Sequence, residues 1–545
     1  MNSKTIFIGV AWPYVNGDLH VGHVAGYLLP ADITARFFRL CGAQVLMVSG
    51  SDCFGTPITV EADKLKLPPR EVVELYHPKN LRLFESLGLS FDLYTKTDTD
   101  NHRRTVQDFL LAFGKRGLLE VGEQKQYFSR SLQRFLPDRY VEGECPYCHF
   151  KGARSDQCDN CGRLLEQNLI RPVAKIDSLP VELKSTQHLF IRWDKLQPEI
   201  EKFVKGAKDW RPWVLNETKR WLKEGLKKRA VTRDLDWGVE IPRELAASLP
   251  GAANKRIYVW FDAVIGYFSA SVEWSKLTGK PWEDFWYSTA SLHYYFMGKD
   301  NLVFHTIFWP GQLMTYDSKL HLPDYPAINQ YLTLEGQKFS KSRRVIVDTA
   351  EFIAKYGPDP LRFYLASIMP EDSDSNFSWT DFFKKNNGVL VGHIGNYVHR
   401  TLSLYQAAQL SGTIDAAVVK QSEQAVAKAT ELLSQSRFRE YFEQIEALAR
   451  FANGYFDQKQ PWVTKKNRPE EFAAAGPSLV ALTFVLMALL EPLTPFAAQK
   501  YFALIEIDNN LLWQKSAGLG AYLNKVVKAI KLNPPQPLFA KFDQE

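Results

Sequence analysis

Two short, wholly apolar runs, IFIGV at 6–10 and VLMV at 45–48, flank a longer segment, Ala25 to Leu40, with apolar residues at helical spacing. Uninterrupted runs of that length read as strands covered on both faces. Strand, crossover helix and strand make a βαβ unit, which predicts a doubly wound parallel α/β sheet. The rhythm stops near residue 116 and returns at IYVWF (257–261) and HYYFM (293–297), both expected as strands of the sheet's second half. Gly298-Lys299-Asp300 is expected to open a helix from Asn301 to about Leu313. From 386 onward, periodic Leu, Ala and Phe predict an α-helical bundle, and the Pro-rich tail KLNPPQPLFAKFDQE an extended docking arm. The expected division is 1–115 and 236–325 for the two halves of the sheet domain, 116–235 for an insertion, 326–385 for a connecting region and 386–545 for the bundle.

One stretch, SLVALTFVLMALLEPLTPF (478–496), invites a membrane reading. Only Leu479 to Leu490 is free of charge and proline, well short of the roughly twenty residues that span a bilayer. A buried bundle helix is expected, and no membrane partner. The N-terminus has too short an apolar run for an export signal, so a cytoplasmic protein is expected.

Composition adds little: the net charge of +6 permits a polyanionic partner without demanding one. The six cysteines add more. Four form CPYC, nine further residues, then CDNC: Cys145, Cys148, Cys158 and Cys161. Two such turns can direct four thiolates at one ion, and four protein ligands leave no open position. One structural Zn2+ per chain is expected. The competing reading is a redox or disulfide pair of pairs.

Two further elements carry chemistry. His20 and His23, in AWPYVNGDLHVGH, follow the first strand and share a face of the first helical turn, where unpaired N–H groups favour anions. Gly22 lets a flat ring come close to the backbone. More than three hundred residues later, Lys338, Ser340 and Lys341 lie in KFSKS, a loop able to neutralise phosphate charge. Either element alone is more often structural.

Together they resemble the signatures named HIGH and KMSKS of the class I aminoacyl-tRNA synthetases, and among these the methionyl-tRNA synthetase family. The resemblance runs in order through AWPYVNGDLHVGH, SGSDCFGTPI (49–58), FLPDRYVEGECPYC (135–148), YVWFDAVIGY (258–267), MGKDNLVFHTIFWP (297–310) and KFSKS. Phe339 stands where that family usually has Met, and Val264 where it often has Pro; neither change removes a polar group.

The resemblance implies a Rossmann-type catalytic domain split by a zinc knuckle and followed by an anticodon-binding bundle. It implies activation of L-methionine with ATP and Mg2+, then transfer to the 3′ end of tRNA(Met). It places His20, Gly22, His23, Lys338, Ser340 and Lys341 at ATP, with His20, His23, Lys338 and Lys341 catalytic. It places Tyr14, Asp52, Trp260, Ala263, Tyr267, His305 and Trp309 at methionine. A carboxylate at Asp52 suits an ammonium, and aromatic rings suit a thioether. Asn396, Arg400 and Trp462 would contact the anticodon. Gly392-His393-Ile394-Gly395 mimics the first signature but has no strand before it, so it is read as coincidence. No extra C-terminal dimerising domain follows the bundle, so a monomer is expected. The competing functions are another class I synthetase, a synthetase-derived tRNA-binding protein without catalysis, and a nucleotidylyltransferase. An insertion of about 120 residues is small for the editing enzymes of the class.

Overall fold

The computed structural model describes residues 4–543, except 138–139, 156–157, 159, 162–164, 166–167, 339–345, 407, 409, 508–511 and 514–517. Its centre is a five-stranded sheet in the order Tyr325–Asn329, Leu292–Gly298, Thr5–Val10, Gln44–Ser51, Leu93–Lys96. Every neighbouring pair is parallel, with Ile6 between Leu292 and Val45. Ile6 to Val10 are all buried, which is why their sequence shows no alternation. The crossover after the first strand is helical from Val21–His23 through a π segment, Val24–Leu28, into Leu29–Leu40.

One expected strand is not a strand. Of IYVWF, only Ile257 lies in one, the short Lys255–Ile257, paired antiparallel with Thr232–Asp234 outside the main sheet. The rest enters the helix Val259–Thr278. Nearly every residue from Val259 to Ser271 is buried, so the helix is apolar on all sides and its sequence lacks the periodicity that tells helix from strand. Gly266 is required there: a Cβ would stand 2.6 Å from the Trp12 ring. HYYFM, by contrast, lies within the strand Leu292–Gly298. The helical path beyond it begins with the 3-10 turn Lys299–Asn301, passes through the π segment Phe304–Phe308 and ends in Trp309–Tyr316.

The insertion forms its own sheet around a long antiparallel pair, Leu119–Ser129 with Glu182–Ile191. At its tip a three-stranded knuckle, Ala153–Arg154, Val141–Glu144 and Ile170–Ala174, carries the cysteines. The connecting region has a small sheet of Gln337–Lys338, Leu332–Leu334 and Ser375–Phe377.

The C-terminal part is helical, with Pro469–Leu490 at its middle. That helix is long and apolar enough to cross a membrane, but 89% of its apolar window is buried inside the protein. The tail is extended and held: Asn386 Nδ2 donates to Ala540 O (3.0 Å), and Asn387 Nδ2 donates to Phe542 O (2.7 Å).

Candidate active site

The geometry begins where the first two strands end. Asp52 N donates to Pro13 O (2.9 Å), and Tyr14 and Asp52 form an isolated parallel bridge. The chain leaving one strand therefore runs beside the chain leaving the other, at the strand ends where doubly wound sheets bind ligands. Asp52 is buried and accepts a hydrogen bond from Phe54 N (3.3 Å). Burial pushes its carboxyl up to about 8, and the Phe54 N–H only partly offsets this.

His20 is the N-cap of the next helix. Its Nδ1 accepts from Gly22 N, while His23 Nδ1 accepts from His20 N, both at 3.1 Å. The pair is thus a reciprocal capping box, with ring centroids 4.0 Å apart. Capping uses Nδ1 of both rings.

The chain flanking the second signature approaches the same place. Lys338 ends a strand paired with Leu332–Leu334, and Asp348 forms an antiparallel bridge with His20. Thr349 Oγ1 also donates to Leu19 O (3.3 Å). The chain on either side of residues 339–345 is therefore fixed, one end against the histidine turn. Ser340 and Lys341 lie outside the described residues, and of Lys338 only the backbone is described.

The remaining candidates gather as aromatic rings. Trp260 stacks on Phe304 (centroids 4.4 Å, 14°) and meets Tyr14 edge-on at 6.4 Å. Two helical turns on, Tyr267 lies beside His305 and Trp309, at 5.6 and 6.1 Å. Ala263, between them, is buried. His305 Nδ1 pairs with Asn301 O (2.9 Å), a carbonyl that can only accept, so Nδ1 carries the proton. Burial lowers its pKa to about 4, so the ring is neutral and Nε2 accepts from Tyr267 O–H (2.8 Å). A recess of about 50 Å3 beside Trp260 is lined by Tyr258, Phe304, Phe308, Arg233 and Gln312 among others. A larger one, about 810 Å3, involves none of the candidate residues.

Sequence reasoning passed over Phe304, Trp12 and Asp262. Phe304 was visible only as one aromatic among several in FHTIFW. Asp262 had a clearer mark, as the single charged residue in the apolar run Val259 to Val272.

On the bundle, Asn396 and Arg400 are exposed on helix Asn396–Tyr405. The Arg400 guanidinium lies 4.5 Å from the Phe456 ring and 5.5 Å from Trp462, which is 40% exposed. Trp462 is a surface ring backed by Phe456, not a core tryptophan. Gly392-His393-Ile394-Gly395 lies in a π segment, Lys385–Gly395, far along the chain from any strand of the main sheet.

The four knuckle sulfurs all lie within 4.8 Å of one another. None is disulfide-bonded. Asn160 Nδ2 donates to Cys148 Sγ, and with neighbouring backbone and thiol contacts this lowers the Cys148 thiol to about 6. Four converging thiols, with the Cys148 thiol lowered, fit one tetrahedral ion.

A parallel sheet with the histidine turn at its strand ends, followed by a helical bundle, defines a class I synthetase architecture. The profile of "tRNA synthetases class I (M)" matches residues 6–402, and that of the "anticodon binding domain of methionyl tRNA ligase" matches 406–545. A methionine–tRNA ligase of Roseiflexus castenholzii is 42% identical over 99% of this chain and 97% of its own length. One from Thermoplasma volcanium is 40% identical over 93% of each. The methionyl-tRNA synthetase of Mycobacterium tuberculosis, solved with methionyl-adenylate, superposes with a TM-score of 0.78 at 22% identity, covering 99% of this chain and 100% of that one. The chain belongs to the methionyl-tRNA synthetase family of class I.

Proposed function

We propose that this chain charges tRNA(Met): it activates L-methionine with ATP to methionyl-adenylate and pyrophosphate, then passes methionine to the 3′ end of the tRNA. The observation that carries this reading is the double bridge, Tyr14 with Asp52 and His20 with Asp348. It draws Asp52, the histidine turn and the arm of the KFSKS loop to the carboxyl ends of the strands.

The methionine carboxylate attacks the α-phosphorus and pyrophosphate leaves, so no protein nucleophile is needed; positioning and charge stabilisation do the work. His20 and His23 meet ATP at the helix start that they cap, and Gly22 gives the nucleotide room. Lys338, Ser340 and Lys341 neutralise the phosphates, whose charge Mg2+ shares as part of the nucleotide substrate. Asp52 takes the methionine ammonium. Trp260, Ala263, Tyr267, His305 and Trp309, with Tyr14, enclose the thioether; a neutral His305 suits that uncharged group.

Arg400 and Trp462 suit unpaired anticodon bases, which are read by stacking and by polar groups at base edges, and Asn396 adds a donor and an acceptor. Cys145, Cys148, Cys158 and Cys161 would hold one structural zinc that braces the knuckle. The five-part division given above, a cytoplasmic location and a monomeric state complete the proposal.

Charging tests it. Incubated with ATP, labelled methionine and unfractionated tRNA, the protein should attach methionine only to tRNA(Met). Labelled methionine on other tRNAs, or none attached, would overturn it.

A further inference from the structure

Asp262 is wholly buried in the first turn of Val259–Thr278. Neither of its carboxylate oxygens has a hydrogen-bond partner among the described residues. Its helix also carries Trp260, Ala263 and Tyr267. One turn on, Gly266 lies under the Trp12 ring, and that ring covers Gly50 as well, two residues before Asp52. Asp262 thus faces the strand ends where Asp52 stands.

The charged and titratable groups around it leave it unpaired. Arg103, from helix Asp100–Lys115, is the cation acting on it, but Arg103 donates to Asp98 (2.5 Å), Glu240 (3.2 Å) and Gly238 O (3.2 Å). His102, on the same helix, shares a hydrogen bond with Ser269 Oγ, and burial lowers its pKa to about 3, so it brings no charge. Cys53 is buried, its thiol pushed up to about 12 mainly by that burial. Asp52 itself repels a second negative charge. A buried carboxylate with no partner is too costly to keep ionised. Burial first, then Asp52, raise Asp262 well above the ordinary carboxylate range.

We propose that Asp262 is a second carboxylate of the amine subsite, meeting the substrate ammonium together with Asp52. This rests on Asp52 being the amine anchor. With the pocket empty, the two buried acids are protonated at neutral pH. When a primary ammonium enters with its own protons, one carboxyl O–H gives its proton to the buffer. The pair then carries one negative charge against one positive charge, and the other acid stays neutral. Two buried acids and one incoming cation thereby reach electrical balance.

The test measures pyrophosphate exchange in Asp262→Asn. Methionine KM should rise at least tenfold, with the KM for ATP within twofold of wild type. An unchanged methionine KM, or both KM values moving together, would overturn the assignment. Wild-type protein supplies the second readout, needing no variant. Methionine titrated calorimetrically at pH 7, in two buffers of different ionisation heat, should release close to one proton per methionine bound. No release would contradict the shared proton. Asp52→Asn separates the underlying reading: an unchanged methionine KM in that variant would remove Asp52 as anchor, whatever Asp262→Asn shows.

Discussion

His305 is held neutral at two atoms, donating from Nδ1 to Asn301 O and accepting at Nε2 from Tyr267. Removing the Tyr267 hydroxyl would leave a buried ring nitrogen without a donor, a cost of about 1–3 kcal/mol. Tyr267→Phe should therefore raise methionine KM roughly tenfold while leaving tRNA KM unchanged, as steady-state charging would show. A shift in both would mean a general loss of fold. The individual residues were legible to different depths. The His20–His23 spacing announced a helix start, and the two CxxC turns announced a cluster of four cysteines, because both are local patterns. That His20 bridges Asp348 was not legible, since it joins positions more than three hundred residues apart. Asp262 was passed over because a sequence shows a carboxylate's neighbours in the chain, not its lack of partners.

At the scale of elements, three π segments adjoin candidate sites: Val24–Leu28 follows His23, Phe304–Phe308 holds His305, and Lys385–Gly395 precedes Asn396. Single π turns commonly occur at functional sites, because the extra residue re-aims a side chain. Sequence periodicity could place these helices but not the irregularity within them. The same limit explains the helix Val259–Thr278: burial on every side erased the period, whereas burial on both faces made IFIGV and VLMV easy to read as strands. Two predictions belong here. The exposed Arg400–Trp462 patch stands on the bundle, well apart in sequence from the histidine turn and the KFSKS loop. Trp462→Ala should cut charging efficiency with tRNA by ten- to a hundredfold, given about 1–3 kcal/mol per stacked base, and leave amino-acid activation unchanged. Equal losses in both assays would tell against anticodon contact. Metal analysis of purified protein should find close to one zinc per chain. Cys158→Ala should lose that zinc and make the knuckle, 141–174, the first region cut by protease.

For the molecule as a whole, the catalytic sheet and the bundle are joined by two arginines, Arg362 buried and Arg211 half-buried. Arg362 Nη2 lies 2.6 Å from Asp32, on the crossover helix, and donates to Pro492 O (2.8 Å), while its Nε donates to Leu493 O (3.0 Å). Both side chains are wholly buried. Arg211 makes a similar tie, donating to Ile328 O (2.7 Å) at the sheet's edge strand and to Ser436 O (2.8 Å) between bundle helices. Burial alone would raise the Asp32 carboxyl, but Arg36 and Arg362 outweigh it and hold it well below the usual carboxylate range. A depressed carboxylate contributes stability above its unfolded pKa and loses it as pH falls through the folded value. Arg362→Met strands a buried charge, so it should destabilise by about 3–5 kcal/mol near neutrality. The fall in melting temperature should shrink as the medium is acidified. An equal fall at every pH would mean that packing, not charge, was lost. None of these ties was legible from the sequence, where Arg362 and Arg211 look like ordinary surface cations.

The carboxyl end of this sheet is where methionine should be recognised and activated. The most direct measurement is ATP–pyrophosphate exchange with each of the twenty amino acids in turn, without tRNA. Exchange supported by methionine, with every other amino acid at background or at least a hundredfold below it, is the predicted result. Exchange driven best by a different amino acid, or absent with all of them, would contradict the account.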